Sequence, residues 1–268
     1  MSVKILARLA HLAPLLILLG AHEASGATLA LREPREILRA SDFHDPSWSP
    51  DGARLLVTGP RHRGLWLVDS DGQGLTVAGA ELACGYRPSW SSAMAIRCER
   101  EGYVLDVGTL ARGPLPPPSG LRVVARDDDI YLLPACGEAP ERRLTRAEDR
   151  FFGPRLSPDE ARVAFVGLAT GIHVLNLSDG SLVHLGAGTR PVFTPDSRFV
   201  LFERVLDDGH ESTEGGIWSF SVESGRTTPL VTLPGHLARE PEPSPDGTRL
   251  AYIRDGALWI AKLVEVDP

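Results

Sequence analysis

One four-residue phrase recurs along the chain. It reads SPDG at Ser49, SPDE at Ser157, TPDS at Thr194 and SPDG at Ser244. Two weaker copies are marked by their surroundings. RPSWSSAMAIRC carries Trp90 where DPSWSPDG carries Trp48, and PPPSGLRVVARDDDIYLL carries Ser119-Gly120 where the others carry Asp-Gly. With Asp51, Ala93, Ser119, Asp159, Asp196 and Asp246 as equivalents, the spacings are 42, 26, 40, 37 and 50 residues. A period near 40 is the size of one β-propeller blade.

The phrase itself is a turn. Proline is pre-set for the second position of a type I turn, glycine suits the fourth, and aspartate bonds its own backbone within it. Short β-branched or aromatic runs follow: RLLV, RVAFV, RFVLF and RLAYI. After a loop comes a third apolar run, as in GLWLVD, DIYLL, GIHVLNL, GIWSFSV and GALWIA. A second tight turn (DSDG, LSDG or ESG) and a fourth run complete the unit. Four antiparallel strands per repeat and no helical periodicity predict an all-β fold, a six-bladed propeller of four-stranded blades. The last repeat ends after its third strand, so the stretch Thr28 to Arg39 is expected to supply the fourth strand and close the ring. The weak point is the 26-residue interval, where TLARGPLPPPSG must hold two strands; a five-blade reading is the alternative there.

The pattern of a Trp or Phe, then SPDG, an Arg and an apolar strand, then G-I-W/Y, resembles the TolB-type propeller repeat, also called WD40-like or PD40. The resemblance covers roughly residues 37 to 263. It implies the fold and leaves function open, since relatives include TolB, peptidase propellers and polysaccharide-lyase propellers. The chain has no room for the α/β domain that precedes the propeller in TolB.

The first residues have another role. Lys4 and Arg8 precede an apolar run from Leu12 to Leu19, and small residues follow at Ala24 to Ala27. This is the layout of a signal peptide over 1–26, which leaves a single propeller domain over 27–268 and a periplasmic or secreted protein. The apolar run is shorter than the roughly 20 residues of a membrane span, so none is expected after cleavage. The formal net charge of −7 disfavours nucleic acid as a partner. Of three cysteines, Cys84 precedes the first strand of blade two and Cys98 ends its second. Both approach one rim, which makes them the expected disulfide; Cys136 falls on the opposite rim and is expected to be free.

No G-x-S-x-G nucleophile motif and no second His at metalloprotease spacing is present. Candidate chemistry therefore lies in loops. Chain direction puts the links between strands two and three on the same rim as the links between blades. The longest is the blade-five loop, Asp207 to Gly216, with Asp207, Asp208, His210 and Glu211. The inter-blade links add His44, Asp45, His236, Arg239 and Glu240. Carboxylates and imidazoles on one rim suit a polar ligand; no cofactor is required, and a divalent cation such as calcium is the one such a rim could take. The five tryptophans, Trp48, Trp66, Trp90, Trp218 and Trp259, fall at strand positions and are expected in the core.

The leading expectation is a monomeric, non-enzymatic module that binds a protein or glycan partner of the cell envelope. One alternative is a lyase or hydrolase of acidic polysaccharide, which requires two or more of His44, His236 and Arg239 to converge. Another is an accessory structural component of an envelope complex.

Overall fold

The computed structural model describes residues 26–39, 42–79, 84, 88–99, 101–116, 119–135, 140–146, 149–207 and 212–267. Nearly all of the expected signal segment and Cys136 lie outside them. After an N-terminal strand, β1 (Thr28–Leu38), blade one holds β2 (His44–Trp48), β3 (Arg54–Thr58), β4 (Leu65–Asp69) and β5 (Leu75–Gly79). Blade two holds β6 (Ser89–Ser92), β7 (Ala95–Cys98), β8 (Tyr103–Asp106) and β9 (Arg112–Pro114). Blade three holds β10 (Arg122–Arg126), β11 (Asp129–Leu133) and β12 (Arg142–Arg143). Blade four holds β13 (Phe151–Leu156), β14 (Arg162–Gly167), β15 (Gly171–Asn176) and β16 (Leu182–Gly186). Blade five holds β17 (Thr189–Phe193), β18 (Phe199–Asp207), β19 (Ser212–Ser221) and β20 (Thr227–Val231). Blade six holds β21 (Ala238–Pro243), β22 (Arg249–Arg254) and β23 (Ala257–Val266).

The architecture is the six-bladed antiparallel propeller, and β1 closes it. Its register on β23 runs from Thr28↔Val266 to Leu38↔Leu258, giving the sheet order β1-β23-β22-β21. Blade three differs from expectation: among the described residues it has three strands. Gly113-Pro114 stands six residues before Ser119, as Asp45-Pro46 stands before Asp51. That segment is drawn into β9, the outer strand of blade two. Pro116 to Pro118 follow, and proline has no N–H to give a ladder.

The SPDG phrase folds as the turn chemistry requires. Gly52, Glu160, Ser197 and Gly247 donate N–H bonds of 2.8 Å to the carbonyls of Ser49, Ser157, Thr194 and Ser244. In each turn the hydroxyl also donates to the aspartate two residues on, at 2.5–2.6 Å. The fourth position is left-handed in all four, with φ of 67, 56, 62 and 71°. At Glu160 this conformation is strained by its Cβ. Glu160→Gly is expected to stabilise the fold by roughly 1 kcal/mol, read as a higher urea midpoint at unchanged slope.

The core lies between blades, because successive residues of each second strand face opposite neighbours. On β22, Leu250 and Tyr252 pack with Phe199, Leu201 and Ile217 of blade five, whereas Ala251 and Ile253 pack with Leu55 and Val57 of blade one. On β3, Leu56 turns the other way, toward Ile96 and Leu105 of blade two. Of the tryptophans, Trp48 is buried and the other four are half-buried. The indole N–H groups of Trp48 and Trp90 reach the inner strand of the preceding blade, donating to the carbonyls of Glu242 and Ser47, both at 3.0 Å. Arginine guanidiniums cover the indole faces of Trp48, Trp218 and Trp259, 3.8–4.5 Å from the ring centroids. Trp48 is thus a core residue, as expected, and the other four pack against the core clusters from the seams between blades. Cys84 and Cys98 are joined as a disulfide in the structure, with Cα atoms 4.7 Å apart.

Candidate functional site at the channel mouth

The inner strands share a small device. In four of them a residue followed by proline stands near the start, six positions before the turn aspartate: Asp45-Pro46, Gly153-Pro154, Arg190-Pro191 and Glu240-Pro241. The residue before the proline has positive φ in all four, at 51, 59, 52 and 57°. The pairing with the second strand slips at the same place each time. Proline forbids the right-handed helical conformation to its predecessor, and a bulge beginning with a left-handed residue re-aims the side chain. In three of the four, that side chain is charged.

Those three side chains meet. The Arg190 guanidinium lies 3.2 Å from Asp45, 3.3 Å from Glu240 and 3.6 Å from Glu203 of β18. All three carboxylates are buried. Glu240 accepts the N–H of Asp45 at 2.5 Å, and Glu203 accepts that of Glu240 at 3.0 Å and the Thr189 hydroxyl at 2.7 Å. Two imidazoles flank the group. His62 Nδ1 is 2.8 Å from Asp45; His44 is 3.4 Å from Glu240 and 3.1 Å from Asp42. The two rings stand 5.1 Å apart. Blades one, five and six are thereby joined at the point where their inner strands start. Below lies a cavity of about 290 Å³, lined by the inner strands of every blade except blade three, with Ser47, Ser89, Arg155 and Glu242 on its wall.

The site's electrostatics follow from these contacts. The hydrogen bond to Glu240 holds the His44 imidazolium above the ordinary histidine range, against the effect of burial. Burial pushes Glu240 up, but His44, Arg190 and the Asp45 N–H together hold it below the usual carboxylate value. Among the described residues no group of three or more His, Cys, Asp or Glu is arranged to hold a metal ion. Where three carboxylates converge, Arg190 stands between them, so the place a cation would take is filled by a guanidinium.

Of the residues expected from sequence, the structure brings together His44, Asp45 and Glu240. Arg239 lies beside Glu240 on β21, half-buried. His236 is on the surface and pairs with Asp255 at 2.6 Å, apart from His44. Asp208, His210 and Glu211 lie outside the described residues. The expected blade-five loop is mostly strand: β18 runs on to Asp207, which pairs with Ser212, and Gly215 and Gly216 pair with Val205 and Arg204. The polar sequence there disguises a hairpin that continues the blade's two middle strands.

Arg190 and Glu203 were not singled out from sequence, yet a signal exists for both. Arg190 occupies the same repeat position as Asp45 and Glu240. Glu203 stands seven residues after Asp196, as Thr58 stands seven after Asp51. Thr58 does the equivalent work in blade one, its hydroxyl lying 3.4 Å from Asp45.

A second polar group lies in blade four. His173 is buried, stacked on Phe165 and on His184 with centroids 5.3 and 4.8 Å away. Its Nε2 is 2.7 Å from the Thr170 hydroxyl, which donates to Asp149 at 2.5 Å; among the described residues its Nδ1 has no hydrogen-bond partner. Burial, then the nearby His184, push His173 below the ordinary histidine value. The Thr170 hydroxyl, followed by backbone N–H groups, brings Asp149 to about 2. This is a clasp that ties the link before blade four to a turn within it.

No family model matches the chain, and no curated protein matches it. Among solved structures it is similar to a gluconolactonase from Xanthomonas campestris, at TM-score 0.58 and 17% sequence identity, covering 87% of this chain and 90% of that one. TolB from Acinetobacter baumannii matches at TM-score 0.38 and 16% identity, covering 86% of this chain and 57% of that one. An oligogalacturonate lyase from Vibrio parahaemolyticus matches at TM-score 0.44 and 12% identity, covering 84% and 79%. At such identities the first likeness is one of fold alone.

Proposed function

We propose that the chain is an exported binding propeller that receives a protein or glycan partner of the cell envelope at the channel mouth. The observation that carries this reading is the mutually paired ion group set over an open cavity. Its carboxylates, guanidinium and imidazoles hold one another, which suits a pre-formed receptor surface. The cavity, at about 290 Å³, is at the low end of the roughly 300–1,000 Å³ of ligand sites. It admits a sugar unit or a peptide end, with the rest of the partner resting on the rim. Among the described residues no helix is long and apolar enough to cross a membrane, and export rests on the N-terminal sequence.

The test is co-purification from the native envelope, followed by affinity measurement with the partner so identified. Arg155→Ala and Glu242→Ala, which change the cavity wall, are expected to weaken binding about tenfold. Substitutions in the turn at Ser178 and Asp179, on the opposite rim, are expected to leave it unchanged. Equal effects from both rims would overturn the reading. A second reading, turnover of acidic polysaccharide, draws on the two histidine–carboxylate pairs beside Arg190, an arrangement that can orient a general base. New chain ends released from such a polymer, and lost in His62→Gln, would establish it.

A further inference from the structure

We propose that the channel mouth is a proton-loaded clamp: an imidazolium at His44 draws blades one and six together around Arg190, and loss of its proton loosens the inner strands. This stands apart from what the cavity binds. The groups facing His44 come from every element packed on it. Asp42 and Asp45 lie on its own segment, Glu240 on β21, and His62 beside β3, while Arg190 of β17 and Glu203 of β18 complete the group. Asp45, Glu203 and Glu240 share one guanidinium here, so carboxylates crowd the place where His44 stands. A proton taken up by His44 adds positive charge beside Glu240. The 3.4 Å contact from His44 to Glu240 pairs an imidazole with a carboxylate, and such a contact strengthens when the donor is charged. It is also a contact across the seam of blades one and six, so its strength is felt as seam stability.

The direction in pH follows from linkage. The folded-state pKa of His44 lies above the ordinary 6.5. Its contribution is therefore complete below 6.5 and is lost as pH rises through the folded value. His173 acts in a separate window. Its folded pKa lies below 6.5, so its effect appears only as pH falls from 6.5.

The experiment uses the full chain. Imidazole titration by NMR is combined with native-state hydrogen exchange at about pH 6 and about pH 8.5, corrected for the intrinsic rate. His44 is expected to titrate above 6.5. Exchange in β2, β17 and β21 is expected to be faster at the higher pH, while β7 and β8 of blade two are unchanged. His44→Gln is expected to show the faster inner-strand exchange at both pH values. His44 titrating at or below 6.5, or equal inner-strand protection at the two pH values in the wild type, would overturn the proposal. Both readouts are made on the unaltered protein, so the decision does not depend on the variant folding.

Discussion

Arg190→Met is expected to destabilise the protein by about 3–5 kcal/mol, the usual loss when one partner of a buried ionic group is removed. The reason lies in what remains. Asp45, Glu203 and Glu240 are all buried, and the guanidinium lies within 3.6 Å of each. Methionine fills comparable volume but leaves three carboxylates without their shared counter-ion. The loss is expected to shrink as pH falls, because the His44 imidazolium beside Glu240 supplies positive charge in its place. Arg190→Met combined with Glu203→Gln is expected to lose less than Arg190→Met alone, since the companion change removes one uncompensated charge. The measurement is urea unfolding followed at about pH 6 and about pH 8. A loss below about 1 kcal/mol, the range of an exposed pair, would mean that the carboxylates are solvated and the cluster is not a structural unit.

The blades were legible because they rest on local chemistry. Serine, proline, aspartate and glycine specify their turn within four residues, and alternating apolar runs specify strands on either side. The N-terminal strand was legible by subtraction, since blade six ends one strand short. Blade three was not, because Gly113-Pro114 matches the inner-strand pattern yet pairs with β8. That is a competition between two sheets for one segment, which no local rule decides. The site was legible in part. His44, Asp45 and Glu240 are polar residues at the start of strands on one rim, and chain direction alone assigns them there. Arg190 was hidden because an arginine before a proline looks like an ordinary surface residue. Its role depends on the bulge that proline imposes and on acids contributed from positions well over a hundred residues earlier and fifty later in the chain. Glu203 was hidden within RFVLFER, where an acid ending an apolar strand reads as a solvated end. The blade-five hairpin misled for the opposite reason: Asp and Gly are poor strand formers, and the ladder that pairs Arg204, Val205 and Asp207 with Gly216, Gly215 and Ser212 overrides them.

Removal of the residues before Asp42 is expected to abolish cooperative unfolding. Strand β1 lies along the whole length of β23, from Thr28↔Val266 to Leu38↔Leu258. Without it, β23 becomes an edge of ten residues with unpaired N–H and C=O groups. The loss also reaches the core. Leu29 is buried with Leu201, Leu250 and Leu263, and Ile37 and Leu38 pack against the cluster of Trp48, Leu258 and Ile260. Burying such side chains contributes roughly 1.5–3 kcal/mol each when complete. Their joint removal therefore takes away on the order of 5 kcal/mol, a large share of the 5–15 kcal/mol that holds most domains folded. The exposed edge adds a kinetic consequence, because an unprotected strand of that length pairs with another chain. The truncated protein is expected to melt broadly, at a much lower temperature, and to elute as oligomers in size-exclusion chromatography. An extended peptide with the sequence of residues 27–39, added in excess, is expected to restore a monomer with a single sharp transition, since the slot it fills is formed by the rest of blade six. A truncated protein that remains monomeric and melts at the wild-type temperature would show that blade six closes the ring with three strands.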